Sequence, residues 1–194
     1  MSIKKIFDKT VDFTIKRIVE LFAILIIFLS IALFLSLASY SPEDPNFIFP
    51  ENTKIKNILG IQGSFISDLF FQSFGLISFL FSFTLFFTGL NIFRSKKILL
   101  IVENIFFTIL YSIFGSLFFA FFYKSSFWLT INGNGGFVGN FLQNSFFLPF
   151  INLNEQISYY LLIIITIILF LISINFSIKS TFVFLRFLFL FLIK

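Results

Sequence analysis

Ser39-Tyr40-Ser41-Pro42-Glu43-Asp44-Pro45-Asn46-Phe47 decides how this chain folds. It follows directly on an uncharged run from Leu21 to Tyr40, long enough to cross a bilayer as a helix. Pro42 lacks an N–H and disfavours helix at Ser41, so the helix stops here. Pro45 repeats the signal, and Glu43 and Asp44 hold the exit in water. The Asp44 carboxylate is expected to cap backbone N–H groups of the loop that follows. Everything downstream reads as further membrane helices arranged around this turn.

Working outward, composition sets the class. The 194 residues are 58% hydrophobic and 12% charged, against about 25% charged in ordinary soluble domains. A soluble domain of this size has too little interior to hide so much apolar surface. With a mean hydropathy of +1.03, the fold class is all-α integral membrane. Phenylalanine occurs 37 times, beside only Ala23, Ala32, Ala38 and Ala120, which points to codon bias toward A and T. The aromatic excess is therefore read mostly as genome composition and only weakly as a binding surface. Cysteine and histidine are absent, which removes disulfides, thiol catalysis, zinc-type sites and His-based acid–base chemistry from this chain. No cofactor or metal is expected.

Residues 1–18 form a basic arm carrying Lys4, Lys5, Lys9, Lys16 and Arg17, with Ile6, Phe7, Phe13 and Ile15 suited to a membrane surface. Ser36-Leu37-Ala38 faintly resembles a signal cleavage site. The apolar run is longer than the 7–15 residues usual for a signal and further spans follow, so the first helix is retained. Residues 41–67 are polar and turn-rich. Ser64 to Phe74 is expected as a short helix lying against the membrane, with Asp68 at the interface. The four spans of a membrane domain over 19–178 are placed at about 21–40, 72–93, 102–123 and 157–178, each free of charge over most of its length. The Gly-rich segment 132–136 is read as loop, since it lacks the Gly-Lys-Ser/Thr ending of a phosphate-binding loop. The stretch from Thr181 to Ile193 is short for a span, and crossing would place Arg186 in the core at about 2.5–3.5 kcal/mol. Residues 179–194 are therefore a cytoplasmic or interfacial tail, the start of a linker.

Lysine and arginine concentrate in the arm, in the turn Arg94-Ser95-Lys96-Lys97 and in the tail, leaving only Lys54, Lys56 and Lys124 on the other side. That asymmetry places both termini in the cytoplasm and two loops outside. Small residues recur along the spans: Gly75, Ser78, Ser82 and Gly89; Thr108, Ser112 and Ser116; Thr166, Ser173 and Ser177. Such stripes allow close backbone approach where lipid supplies no hydrophobic drive. Glu103 is expected in the first turns of the third span, favoured there by the helix dipole with Lys96 or Lys97 nearby. No catalytic constellation is present.

The motifs themselves resemble a known family. Ser39-Tyr40-Ser41-Pro42-Glu43-Asp44-Pro45-Asn46-Phe47 after a first helix is followed in order by Asn57-x-x-Gly60-x-x-Gly63, then Ile66-Ser67-Asp68-Leu69, then Gln72-x-Phe74-Gly75-Leu76, and by Gly135-Gly136-Phe137-Val138-Gly139. Across about residues 18–178 this resembles the N-terminal four-helix region of the FtsK/SpoIIIE DNA translocases. The resemblance implies a bacterial inner-membrane anchor, homo-oligomeric, that sits at the division septum, recruits division-site proteins and supports chromosome segregation. The family's motor carries Walker motifs that do not stand in this chain, so ATPase activity is not carried over. Direct nucleic-acid binding is not expected either, because the basic residues are accounted for by topology. Two other readings remain: a small multi-span transporter or channel, and an unrelated membrane scaffold. A transporter requires broken helices or buried polar groups near the midplane, and the spans are read as having almost none.

Overall fold

The computed structural model describes residues 3–45, 54–126, 128–129, 131–144 and 147–176. Asn46, Phe47, Pro50, Asn52, Ser177 and the 179–194 tail lie outside them. The described residues are helical without strands, in the order α1 Ile3–Ala38, α2 Gly60–Phe74, a 3-10 turn Gly75–Ile77, α3 Ser78–Ser95, α4 Leu100–Phe122, α5 Gly136–Gln143, α6 Phe147–Leu153 and α7 Glu155–Ser173. Four stretches are long and apolar enough to cross a membrane: α1, α2 to α3, α4 and α7.

The basic arm is not separate from the first span. α1 runs unbroken through both for 36 residues, roughly 54 Å at 1.5 Å per residue, because nothing before Pro42 interrupts it. It ends where the prolines dictate, with the Ser39 N–H on the Leu35 carbonyl and Tyr40 on Leu37. The second span also differs from the expected 72–93. Gly75, at φ 64°, stops α2, and α3 starts three residues later at Ser78. A positive φ is costly for any residue with a Cβ, so this break belongs to glycine.

α3 packs chiefly on α1, and α4 chiefly on α7. The small residues make this possible: a Cβ at Gly89 would crowd the Ile27 side chain and the Ala23 carbonyl of α1. Edge-on rings continue the seam, with Phe34 against Phe79 and Phe83 at 6.3 and 5.7 Å. Many phenylalanines are thus packing elements between helices, whatever bias placed them in the sequence. At the turn joining α3 to α4, Lys96 caps α3 in the left-handed conformation and pairs with Glu20 of α1 at 2.6 Å. Lys96 therefore serves α1, not Glu103, which sits exposed in the first turn of α4.

α7 is bounded by two caps. The Asn154 side chain accepts from the Ile157 N–H at 3.1 Å, with Glu155 in the first turn. At the other end Asn175 takes φ 52°, its N–H bonds to the Ile172 carbonyl, and Phe176 bonds back to Leu171. This pattern is a Schellman motif with asparagine in the position glycine usually holds.

Polar groups are gathered inside the helix bundle, contrary to the expectation from sequence. The Thr84, Tyr111 and Ser173 hydroxyls meet at 3.0 and 3.1 Å. Nearer the 95–99 turn, Asn104 donates to Thr88 at 2.7 Å and accepts from Asn175 at 2.8 Å, while Asn91 donates to the Ile174 carbonyl. These residues are scattered over three helices, so their meeting is invisible until the helices are packed. Every contact joins α3, α4, or α7 and the cap that ends it, which makes the network a tie between the three helices.

Candidate functional site

The described residues of the two long connections, 39–59 and 123–154, are locked to the bundle by polar contacts. The first lock is the turn after α1. Asp44 is 1% exposed, and its two carboxylate oxygens accept the backbone N–H groups of Lys56 at 2.9 Å and Asn57 at 2.8 Å. Asp44's own N–H bonds to the Ser41 carbonyl, so Pro42 and Glu43 form the tip of a tight turn that aims the carboxylate inward. Beside it, on the surface, Lys56 pairs with Glu43 at 2.5 Å. This ammonium holds the Glu43 carboxyl below its ordinary value, and Glu43 raises Lys56 in return. Both groups are exposed, so the pair contributes little to stability.

Asn57 is the hub of the lock. Its amide donates to the Ser36 carbonyl in α1 at 2.9 Å, and its oxygen accepts from the Leu59 N–H at 3.1 Å. The chain then turns through Gly60, at φ 67°, into α2. Ser36 donates to the Gly63 carbonyl at 2.6 Å, and Ser64 to the Pro45 carbonyl at 2.7 Å. A side chain at Gly63 would overlap Asn57 and Leu59. The spacing Asn57, Gly60, Gly63 thus has a physical reading: hub, turn and close approach.

The second lock joins the two connections. Asp68, expected near the membrane interface, is buried within the protein at 3% exposed, because α2 packs this face against the end of α1. The Tyr40 hydroxyl and the Gln72 amide each approach its Oδ1 at 3.4 Å. Gln72 in turn accepts from Asn132 at 2.9 Å, and Asn140 donates to the Asn132 carbonyl at 2.8 Å. A polar relay therefore runs from Tyr40 through Asp68, Gln72 and Asn132 to α5. Burial, reinforced by the Asp68 charge, pushes the Tyr40 phenol well above its ordinary value. The Tyr40 ring lies 4.9 Å from Phe71 and 6.4 Å from Trp128, which carries an aromatic contact alongside the relay.

The third lock is made by backbone. Residues 132–136 are not wholly loop: Gly136, at φ 64°, begins α5. The Leu76 N–H donates to the Asn134 carbonyl at 2.9 Å, and a Cβ on either Gly75 or Gly136 would run into the opposing main chain. Gly135 and Gly139 lie against the Ser116 carbonyl and Ala120 of α4 in the same way. Ser116 itself donates to the Phe74 carbonyl at 2.9 Å. The small residues of α4 thus receive α5 as well as supporting the bundle.

The motif residues Tyr40, Asp44, Asn57, Gly60, Gly63, Asp68, Gly75, Gly135, Gly136 and Gly139 all fall in these locks. Ser39 contributes by accepting the Ile58 N–H at 3.1 Å, Ser41 by the turn to Asp44, and Pro42 and Pro45 by shaping that turn. From sequence Ser64 and Asn140 have no role, Ser36 belongs only to a faint cleavage-site likeness, and Gln72 and Asn132 only to longer motifs. Single polar residues in a helix or loop carry no spacing signal of their own. Among the described residues no buried side-chain nitrogen or oxygen lacks a hydrogen-bond partner, and no group of three or more His, Cys, Asp or Glu could hold a metal ion. The arrangement is suited to holding a surface in shape.

Over residues 15–187 the chain matches the family described as the 4TM region of DNA translocase FtsK/SpoIIIE. It is 33% identical over 69 residues to a DNA translocase FtsK of Rickettsia prowazekii (strain Madrid E), covering 36% of this chain and 9% of that protein. It is 32% identical over 74 residues to a DNA translocase FtsK of Rickettsia bellii (strain RML369-C), covering 38% and 10% respectively. The chain thus covers about a tenth of the length of these curated relatives. No solved structure matches.

Proposed function

This chain belongs to the family of the 4TM region of DNA translocase FtsK/SpoIIIE, and on that premise we propose that it is a membrane anchor of the division septum that supports cell division and chromosome segregation. The observation that carries the reading is that the match covers residues 15–187, nearly the whole of the four-span bundle and both of its locked connections. The relatives' name, DNA translocase FtsK, supplies the link to DNA movement. In this reading the chain itself anchors and recruits, without ATP hydrolysis and without direct contact to nucleic acid. Both termini face the cytoplasm, supported by the lysine and arginine asymmetry, and the locked connections form a shaped outer surface for division-site proteins. Within the chain only 28% and 17% of the most apolar stretches of α1 and α7 are covered, which leaves faces open to lipid or to further copies of the chain.

A fluorescent fusion in dividing cells tests the assignment. Fluorescence concentrates at the division site if the reading holds, and uniform membrane fluorescence sinks it. The purified chain, assayed for ATP hydrolysis with and without DNA, should be silent; DNA-stimulated turnover would defeat the anchor-only role.

A further inference from the structure

We propose that the groove between α1, α3 and α4 is a binding site for one anionic phospholipid, whose acyl chain lies in the groove and whose headgroup meets Lys97. The groove holds about 360 Å³ and is lined by Phe22 and Ile26 of α1, Leu85 of α3, and Ile101, Ile105 and Ile109 of α4. It exists because α3 and α4 pack on different partners and meet each other only narrowly. Thr88 and Asn104 lie at its floor, but Asn104 donates to Thr88 and accepts from Asn175, so their polar atoms are engaged with one another. What the groove offers to an occupant is hydrocarbon.

Its length and position select the occupant. From Ile101 to Ile109 is eight residues of helix, roughly 12 Å, against roughly 15 Å for one leaflet of a bilayer core about 30 Å thick. The groove runs from Thr88 and Ile101, the lining residues nearest the 94–99 turn, to Phe81 and Ile109. A single acyl chain from the leaflet on that side fits this track, whereas a helix roughly 10–12 Å across is too wide for about 360 Å³ over that length.

Charge fixes the headgroup. Lys97 stands four residues before Ile101, in a tight turn where the Leu100 N–H bonds to the Lys97 carbonyl at 3.4 Å and Ile101 to Ile98 at 3.1 Å. It is exposed, as is Arg94, and neither has a carboxylate partner among the described residues. Lys96, the third cation of the turn, is held by Glu20. A cation without a carboxylate partner among the described residues, in the turn that leads into an acyl-sized groove, complements a phosphodiester that lacks a compensating ammonium. Basic pockets between membrane helices bind anionic headgroups in this way.

Native mass spectrometry of the purified full chain in detergent, titrated with phosphatidylglycerol or phosphatidylcholine of identical tails, tests the site. Phosphatidylglycerol should be retained at one saturable equivalent and preferred over phosphatidylcholine. Lys97→Gln should weaken its retention roughly fivefold, the worth of about 1 kcal/mol for one surface cation, whereas Arg94→Gln, on the face of α3 turned away from the groove, should leave it unchanged. Ile105→Trp, which fills the groove, should abolish retention, whereas Phe106→Trp, one position round the same helix and outside the groove, should not. Helicity by circular dichroism verifies that both tryptophan variants are folded. Equal retention of the two lipids, indifference to Lys97→Gln, or like behaviour of Ile105→Trp and Phe106→Trp would each overturn the proposal.

Discussion

The Asp44 carboxylate holds the backbone N–H of Asn57 at 2.8 Å across thirteen positions of sequence. With a second bond to the Lys56 N–H at 2.9 Å, it ties the turn after α1 to the segment that leads into α2. Asp44→Ala removes both acceptors and leaves two N–H groups without them. The expected loss is about 3 kcal/mol, since bonds to a charged group contribute about 1.5–3 kcal/mol each and the losses overlap. Thermal unfolding in detergent measures it, and membrane insertion should be unaffected because the residue lies beyond α1. An unchanged melting temperature would make Asp44 a bystander.

Gly60 and Gly75 share nearly the same positive φ, 67° and 64°, but not the same surroundings. Nothing lies within 4 Å of a Cβ built on Gly60, while one on Gly75 meets the Asn134 carbonyl. Gly60→Ala should therefore cost only the conformational strain, about 1–2 kcal/mol. Gly75→Ala adds a backbone collision and should detach α5 from the α2–α3 junction. Limited proteolysis between residues 124 and 144 reports that detachment; equal protection in the two variants would contradict the geometry.

Tyr40 carries a pH dependence of definite sign. In the folded chain its phenol keeps its proton above the ordinary value of 10.0, whereas the unfolded chain releases it there. The stability this provides is complete below about pH 10 and falls as the pH rises toward the folded value. Melting temperatures between pH 9 and 11.5 should drop more steeply for the native chain than for Tyr40→Phe. Parallel curves would remove Tyr40 from the account.

Asn175 ends α7 in the left-handed conformation and also donates to Asn104. Two substitutions separate these roles. Asn175→Gly keeps the backbone and loses the bond, about 1 kcal/mol; Asn175→Ala loses the bond and strains the backbone, about 2–3 kcal/mol. If both variants melt alike, the cap geometry contributes nothing.

Orientation is open to chemical labelling. Cysteines placed at Lys54 and Asn144 should react with an impermeant thiol reagent from outside intact cells, and one at Ser95 only after permeabilisation. Labelling of Ser95 alone in intact cells reverses the topology.

The four spans, the stop at Pro42 and the break-prone glycines were legible in the sequence, because hydropathy, proline and glycine act locally and need no partner to be understood. Asp44 was legible for a related reason: a carboxylate just past a helix end, followed by loop, has backbone N–H groups within reach. The fate of Asp68 was not legible. Its neighbours in sequence are interfacial in character, and only the packing of α2 on the end of α1 removes it from water and brings Tyr40 to it across 28 residues. The pairing of Lys96 with Glu20 was hidden for the same reason: of the two lysines expected near Glu103, Lys96 is taken by an acid 76 positions away in sequence that only the packing of α1 brings close.

The polar tie between α3, α4 and α7 marks the boundary most clearly. Thr84, Tyr111 and Ser173 are unremarkable members of three separate apolar runs, and no spacing rule joins positions 89 residues apart. What composition alone determined is that these segments leave water, because each buries more apolar surface than its few polar groups can oppose. Which polar groups then meet depends on how the helices turn about their axes. Small residues and interhelical hydrogen bonds set that rotation in a medium without hydrophobic drive, and it exists only once the bundle is assembled.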